Sequence, residues 1–160
     1  MKKVIANKGA LKPSPRVLVS CRWNGEDNAL AVGYCGNCSY APPMVMIGIV
    51  PSRYSYNMIK NAKNFVVNLP SMENKEMFDY LGSVSKKTED KLKNYKITEA
   101  DMIDAPMLAD CPVNIECEVV DSIMTGSHEM FIAKILKVHA DDSVLTDDKI
   151  DMKKINLINE

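Results

Sequence analysis

The sequence has no strong charge of either sign: 20 lysines and arginines face 21 aspartates and glutamates, for a formal net charge of -1. It therefore lacks the basic field that would draw in nucleic acid or an acidic membrane surface. No apolar run approaches the roughly 18 residues that a membrane-spanning helix needs. The basic start Met1-Lys2-Lys3 is not followed by the apolar stretch of an export signal. A cytoplasmic location is the expectation. There is no G-x-G-x-x-G dinucleotide fingerprint, no serine-nucleophile motif, no internal or βαβ repeat and no low-complexity tract. Five cysteines, an odd number without an export signal, argue against a disulfide framework and for reduced, mostly buried thiols.

What is present suits one folded unit. Over 160 residues, 46% are hydrophobic and 26% charged, enough apolar material for a single core. The reading is one domain over 1–160 with an N-terminal arm of about 15 residues, ended by Pro13 and Pro15. Val17 to Cys21 reads as a buried strand, and Asn24-Gly25 marks a hairpin turn because both residues accept positive φ. Asn28 to Tyr34 and Met44 to Val50 read as further strands, with a Gly- and Pro-containing loop from Gly36 to Pro43 between them.

Ser52 or Ser55 is placed to cap a short helix through Met58 and Ile59, ending near Asn61. Phe65 to Leu69 is another strand. Glu73 to Leu81 is helical, with Gly82 as its stop, and the lysine-rich stretch 83–104 is a loop with a helical turn near Glu89 to Leu92. Strict alternation then puts Val113, Ile115, Cys117 and Val119 on one face and Asn114, Glu116 and Glu118 on the other. A turn at Thr125-Gly126-Ser127 folds this strand onto Glu129 to Ala140 as a long hairpin. Several antiparallel strands with two or three helices imply a closed or nearly closed barrel, which also removes exposed edges.

Four constellations could carry chemistry. Pro51-Ser52-Arg53-Tyr54-Ser55 lies between a strand and a helix start, where free N–H groups and the helix dipole favour an anion. Two hydroxyls and a guanidinium add donors suited to phosphate, although a capping serine and a solvated arginine would explain the same letters. Cys35-Gly36-Asn37-Cys38 is a C-x-x-C, but the prolines at Pro42 and Pro43 deny it the helix of a thioredoxin-like site. Zinc would need a second ligand pair, so ordinary loop thiols come first and a dithiol redox pair second. His128, at the hairpin turn, could bind a ligand, donate a proton or face solvent. Lys86, Lys87, Lys91 and Lys93 read most economically as a solvated surface from which one amine could reach a phosphate.

In order along the chain, 28–34 with Ser39 to Pro43, 49–55, 65–68, 111–117 and 126–132 resemble the flavin reductase-like family, in particular its flavoredoxin branch. The resemblance implies a mainly β fold, an antiparallel Greek-key split barrel of the FMN-binding type. It implies a homodimer with FMN near the subunit interface. It further implies that main-chain groups of Tyr34, Cys35, Gly36, Asn37, Cys38 and Ser39 hold the flavin ring. Ser52, Arg53, Tyr54 and Ser55 would hold the phosphate, assisted by Lys86 or Lys91, and His128 would face the flavin or nicotinamide. No metal is implied. The expected activity is that of an FMN-dependent oxidoreductase, a flavin reductase or electron carrier, taking hydride from NAD(P)H or electrons from a redox protein. A non-enzymatic cofactor-binding or sensor module is the alternative, and a thiol-disulfide protein using Cys35 and Cys38 stands behind both. Two departures from the family are the cysteine pair itself and an end at Glu160, earlier than in many relatives.

Overall fold

The computed structural model describes residues 1–158, so the chain end at Glu160 lies outside the described residues. A seven-stranded antiparallel sheet dominates it, in the order β2-β1-β5-β8-β9-β4-β3. β1 (Val17–Trp23) and β2 (Glu26–Val32) form the expected hairpin, with φ of 53° at Asn24 and 76° at Gly25. β3 (Cys35–Tyr40) pairs with β4 (Pro43–Ile49). The segment from Gly36 onward is thus an edge strand rather than the expected loop. Its polar, glycine-containing composition matches a strand with one unpaired edge and a bulge between Asn37 and Ser39.

Helix α1 (Tyr54–Ala62) crosses one end of the barrel, and β5 (Asn64–Leu69) follows after Lys63, whose φ of 60° closes the helix. The helix is entered at Arg53 with no side-chain cap hydrogen bond. Neither Ser52 nor Ser55 caps it, contrary to expectation; Ser55 is turned inward and buried. Helix α2 (Lys75–Ser83) runs one residue past Gly82, which is therefore not a stop. A Cβ there would lie 2.9 Å from the Ala31 Cβ, so the glycine serves the close approach of α2 to β2. The lysine-rich stretch contains β6 (Ile97–Glu99), paired with β7 (Pro106–Leu108), where a loop with one helical turn and no strand was expected.

β8 (Val113–Met124) and β9 (Glu129–Ala140) form the long hairpin. Register shifts at Glu116/Cys117 and Val119/Asp121 interrupt the simple alternation. Asn114 and Glu116, expected on a polar outer face, are 8% and 0% exposed. Asn114 donates to Asn68 Oδ1 and to the Leu108 carbonyl, while Glu116 accepts from the Asp101 and Met102 N–H groups and pairs with His139. A second layer of chain covers this face, so both faces of the strand are buried there. After the hairpin, β10 (Leu145–Thr146) and β11 (Lys149–Ile150) pair, and Val144 and Ile155 pack on Val113.

The barrel core combines Val17, Val19, Leu30, Ile47, Phe65 and Phe131 with Ile59 of α1. The two edge strands, β2 and β3, are consecutive in the chain and joined through Gly33 and Tyr34 alone. The sheet curls until β2 meets β4, and the Gly48 N–H donates to the Tyr34 carbonyl at 2.8 Å. This incompletely paired seam positions the site. No helix among the described residues is long and apolar enough to cross a membrane.

Candidate functional site

Two adjoining cavities open along the seam. The larger, of about 1320 Å³, is lined by the N-terminal arm from Gly9 with Arg16, by Leu30 to Cys35, by Gly48 to Val50, by one face of α2, and by His128 and Met130. The smaller, of about 310 Å³, is lined by Asn28, Leu30, Ser52 to Ser55, and Val84 to Lys87 with Lys91. Arg53 and Leu30 belong to both walls, so the two spaces form one elongated cleft with chemically different ends.

The small end is cationic. Arg53, Lys86, Lys87 and Lys91 all line it, although Arg53 lies 33 to 38 residues from the lysines in sequence. The first N–H groups of α1, at Tyr54 and Ser55, have no carbonyl one turn earlier within the helix and add a positive dipole end. Lys91 is 5% exposed, and its ammonium donates to the Leu81 and Val84 carbonyls at 2.9 and 2.8 Å, closing the end of α2. The expectation of a solvated lysine surface is corrected for this residue. Burial, followed by the charges of Arg53 and Lys86, pushes Lys91 down to about 8. Lys86 is half-buried and paired with Asp90 at 3.2 Å. Below this wall Asn28 Nδ2 donates to Ser55 Oγ at 2.7 Å, and both residues are 1% exposed. Sequence reasoning did not single out Asn28: an isolated asparagine on a strand carries no signal until its cross-barrel partner is known.

The large end is more apolar. Tyr34, 60% exposed, meets His128 edge to face at 4.8 Å between ring centres. Ser127 Oγ lies 2.7 Å from His128 Nδ1, which orients the half-buried imidazole toward the cleft mouth. Tyr34 and Cys35 line this space, whereas Gly36, Asn37, Cys38 and Ser39 continue along β3 and are not among its lining residues. Burial pushes the Cys35 thiol up to about 11, and Cys38 is exposed in the bulge. A thiol so shifted is a poor nucleophile near neutrality. Asp101, Glu116 and His139 place ligand-type atoms within 4.8 Å of one another. Their atoms already serve the backbone of 101–102 and Lys137, and they lie apart from the cleft lining.

A cationic pocket thus continues into a broader, more apolar slot. An uncharacterized protein of Archaeoglobus fulgidus is 31% identical over 117 residues, 71% of this chain and 66% of the relative, so the match spans slightly less than two thirds of that relative's length. Among solved structures, flavoredoxin from Methanosarcina acetivorans superposes with a TM-score of 0.93 at 28% identity, covering 99% of this chain and 86% of that one. Flavoredoxin of Desulfovibrio vulgaris (Miyazaki F) gives a TM-score of 0.92, also at 28% identity, over 99% of this chain and 87% of that one. With residues 10–154 matching the flavin reductase like domain, the chain belongs to that family.

Proposed function

We propose that this chain binds FMN along the seam and acts as an FMN-dependent oxidoreductase of the flavin reductase or flavoredoxin kind. The observation that carries the reading is the continuity of the two cavities through Arg53 and Leu30. Arg53, Lys86, Lys91 and the N-terminus of α1 would hold the phosphate, and the slot beside Tyr34, Cys35 and Gly48 would hold the ring. FMN bound there would supply hydride acceptance at N5 and electron release in ones or twos.

The chain's own contribution is positioning. Charge-assisted donors anchor one end of the ligand and so fix where the ring lies. The Gly48 N–H stays bound to the Tyr34 carbonyl, keeping the slot wall in register. A Cβ at Gly48 would come within 2.7 Å of Met130 Sδ, so a side chain there would displace Met130 at the slot wall. His128 stands at the mouth, where it can meet an incoming donor such as NAD(P)H or a redox protein. The reading includes a cytoplasmic homodimer with the ring near the interface. The thiol alternative gains no support from Cys35, whose thiol burial holds protonated.

The test is the absorption spectrum of the purified protein, alone and titrated with FMN. A bound-flavin spectrum with quenched fluorescence is the expected result; unchanged FMN fluorescence and mobility would overturn the reading. Anaerobic mixing of the loaded protein with NADPH or NADH then separates the two activities: bleaching marks a reductase, and its absence with both nucleotides marks a carrier fed by another protein.

A further inference from the structure

The charge of the N-terminal arm is one-sided. Residues 1–16 carry Lys2, Lys3, Lys8, Lys12 and Arg16, and no aspartate or glutamate precedes Glu26. The rest of the chain holds 15 lysines and arginines against 21 acids, so a body of net charge -6 bears an arm of +5. The near-neutral total thus conceals a polarised molecule. Residues 1–13 are exposed throughout, and Val4, Ile5 and Leu11 stand almost bare among the lysines.

The arm also has a definite place. Gly9 to Lys12, with Ser14 and Arg16, line the large cavity together with Tyr34 and His128. Its inner end is held where the Ser14 hydroxyl donates to the Gly33 carbonyl at 3.2 Å and the Arg16 N–H to the Ile158 carbonyl at 3.2 Å. Positive charge is therefore gathered beside the mouth through which electrons would reach a bound ring. An acidic partner is repelled by the body and attracted by the arm, so its approach is steered to that mouth.

The spread of the charge suits a protein surface better than a small anion. Lys2 and Lys12 are ten residues apart, up to about 35 Å of extended chain. Electron-transfer encounters between proteins bury little surface, so a short arm with a few apolar side chains is sufficient.

We propose that the N-terminal arm is the docking element for an acidic one-electron carrier protein, which it holds against the mouth beside Tyr34 and His128. The proposal rests on the flavin reading and names the donor for the same site. Two reduced carriers docking in turn each lose one electron, and the two electrons, with two protons from solvent, reduce one bound flavin.

The probes are an acidic plant-type ferredoxin and an acidic flavodoxin. They are mixed with the FMN-loaded chain and with a triple variant, Lys2→Glu, Lys3→Glu and Lys8→Glu. These lysines are exposed and lie outside the cavity lining, so folding and FMN affinity should be unchanged in the variant. Calorimetry with the oxidised carriers reads docking, and anaerobic stopped-flow mixing with reduced ferredoxin reads electron delivery. The wild type is expected to bind the acidic carriers at low salt. Its second-order rate should fall about tenfold between roughly 0.01 and 0.1 M salt, as the screening length shrinks from about 30 to 10 Å. The triple variant should lose about tenfold in both measurements at low salt.

Undiminished binding by the variant, a rate insensitive to salt, or a wild type that binds neither carrier would overturn the proposal. If no carrier binds and the variant changes the sedimenting mass of the chain alone, the arm's partner is a second copy and the proposal falls. A chain that takes up no FMN overturns the flavin reading and the electron-delivery step with it, a result visible in the spectrum before any carrier is added.

Discussion

At the scale of single residues, Lys91 carries two demands that pull against each other. It is buried to close the end of α2, and it is crowded by the cations with which it shares a pocket, which together push it down to about 8. Its protonated form is the one that attracts an anion, so that attraction is complete well below pH 8 and fades as pH rises through 8. FMN affinity should accordingly drop severalfold between about pH 7 and 9, with proton uptake on binding near pH 8. Titrations across that range check this; in Lys91→Met the affinity should be lower and this step should vanish. For stability the sign is opposite. A lysine with a lowered folded-state pKa opposes folding while it is protonated, and that opposition is relieved as pH climbs from about 8 toward its ordinary 10.5. The placement of Ser52 to Ser55 at a helix start was legible in the sequence because the signals of a helix start are local. The burial of Lys91 was not, since its surrounding charges read as a solvated surface and its partners are carbonyls, which sequence does not distinguish.

At the scale of elements, the hairpins were legible and the layering was not. Asn24-Gly25 and the alternation of 113–119 specify turns and strands through local φ preference and period. What covers a strand depends on distant chain. Asn68 shows why: its carboxamide donates to the Leu18 carbonyl and to Ser20 Oγ, and accepts from the Leu108 N–H and Asn114. Ser20 in turn donates to the Pro106 carbonyl at 2.6 Å. These buried polar groups fasten β7 over the sheet, and each looks like a surface residue when read alone. Gly82 is a second case, a packing contact that resembles a helix terminator. Replacing it with valine should force α2 away from Ala31 and cost about 1–3 kcal/mol. Thermal unfolding would show this as a drop of roughly 2–12 °C for a domain of this size. An unchanged midpoint would mean that α2 can slide without penalty.

At the scale of the whole molecule, the half of β8 nearest the hairpin turn is exposed. Val120, Ile123 and Met124 are 44%, 61% and 51% exposed there, and Val138, paired with Ile115 toward the other end of the hairpin, is 47% exposed. Apolar side chains spaced along a long hairpin are what a second copy of the chain would cover. In the homodimer proposed above, Ile123→Asp should shift the mass measured by sedimentation from dimer to monomer. FMN affinity should fall with it if the ring lies near the interface. A wild-type protein that sediments as a monomer at micromolar concentration would remove the dimer from the proposal.

The seam has a consequence for how the protein would behave before it meets its cofactor. β2 and β3 leave unpaired backbone along the two edges of the sheet, and Tyr40 at the end of β3 is 94% exposed. Exposed edges of this kind invite other strands to add to them. A flavin seated in the cleft would lie against β2 and Cys35, and the empty chain would be the form with the β2 edge most open to association. Cofactor supply would then govern how much of the protein survives synthesis as well as how fast it turns over.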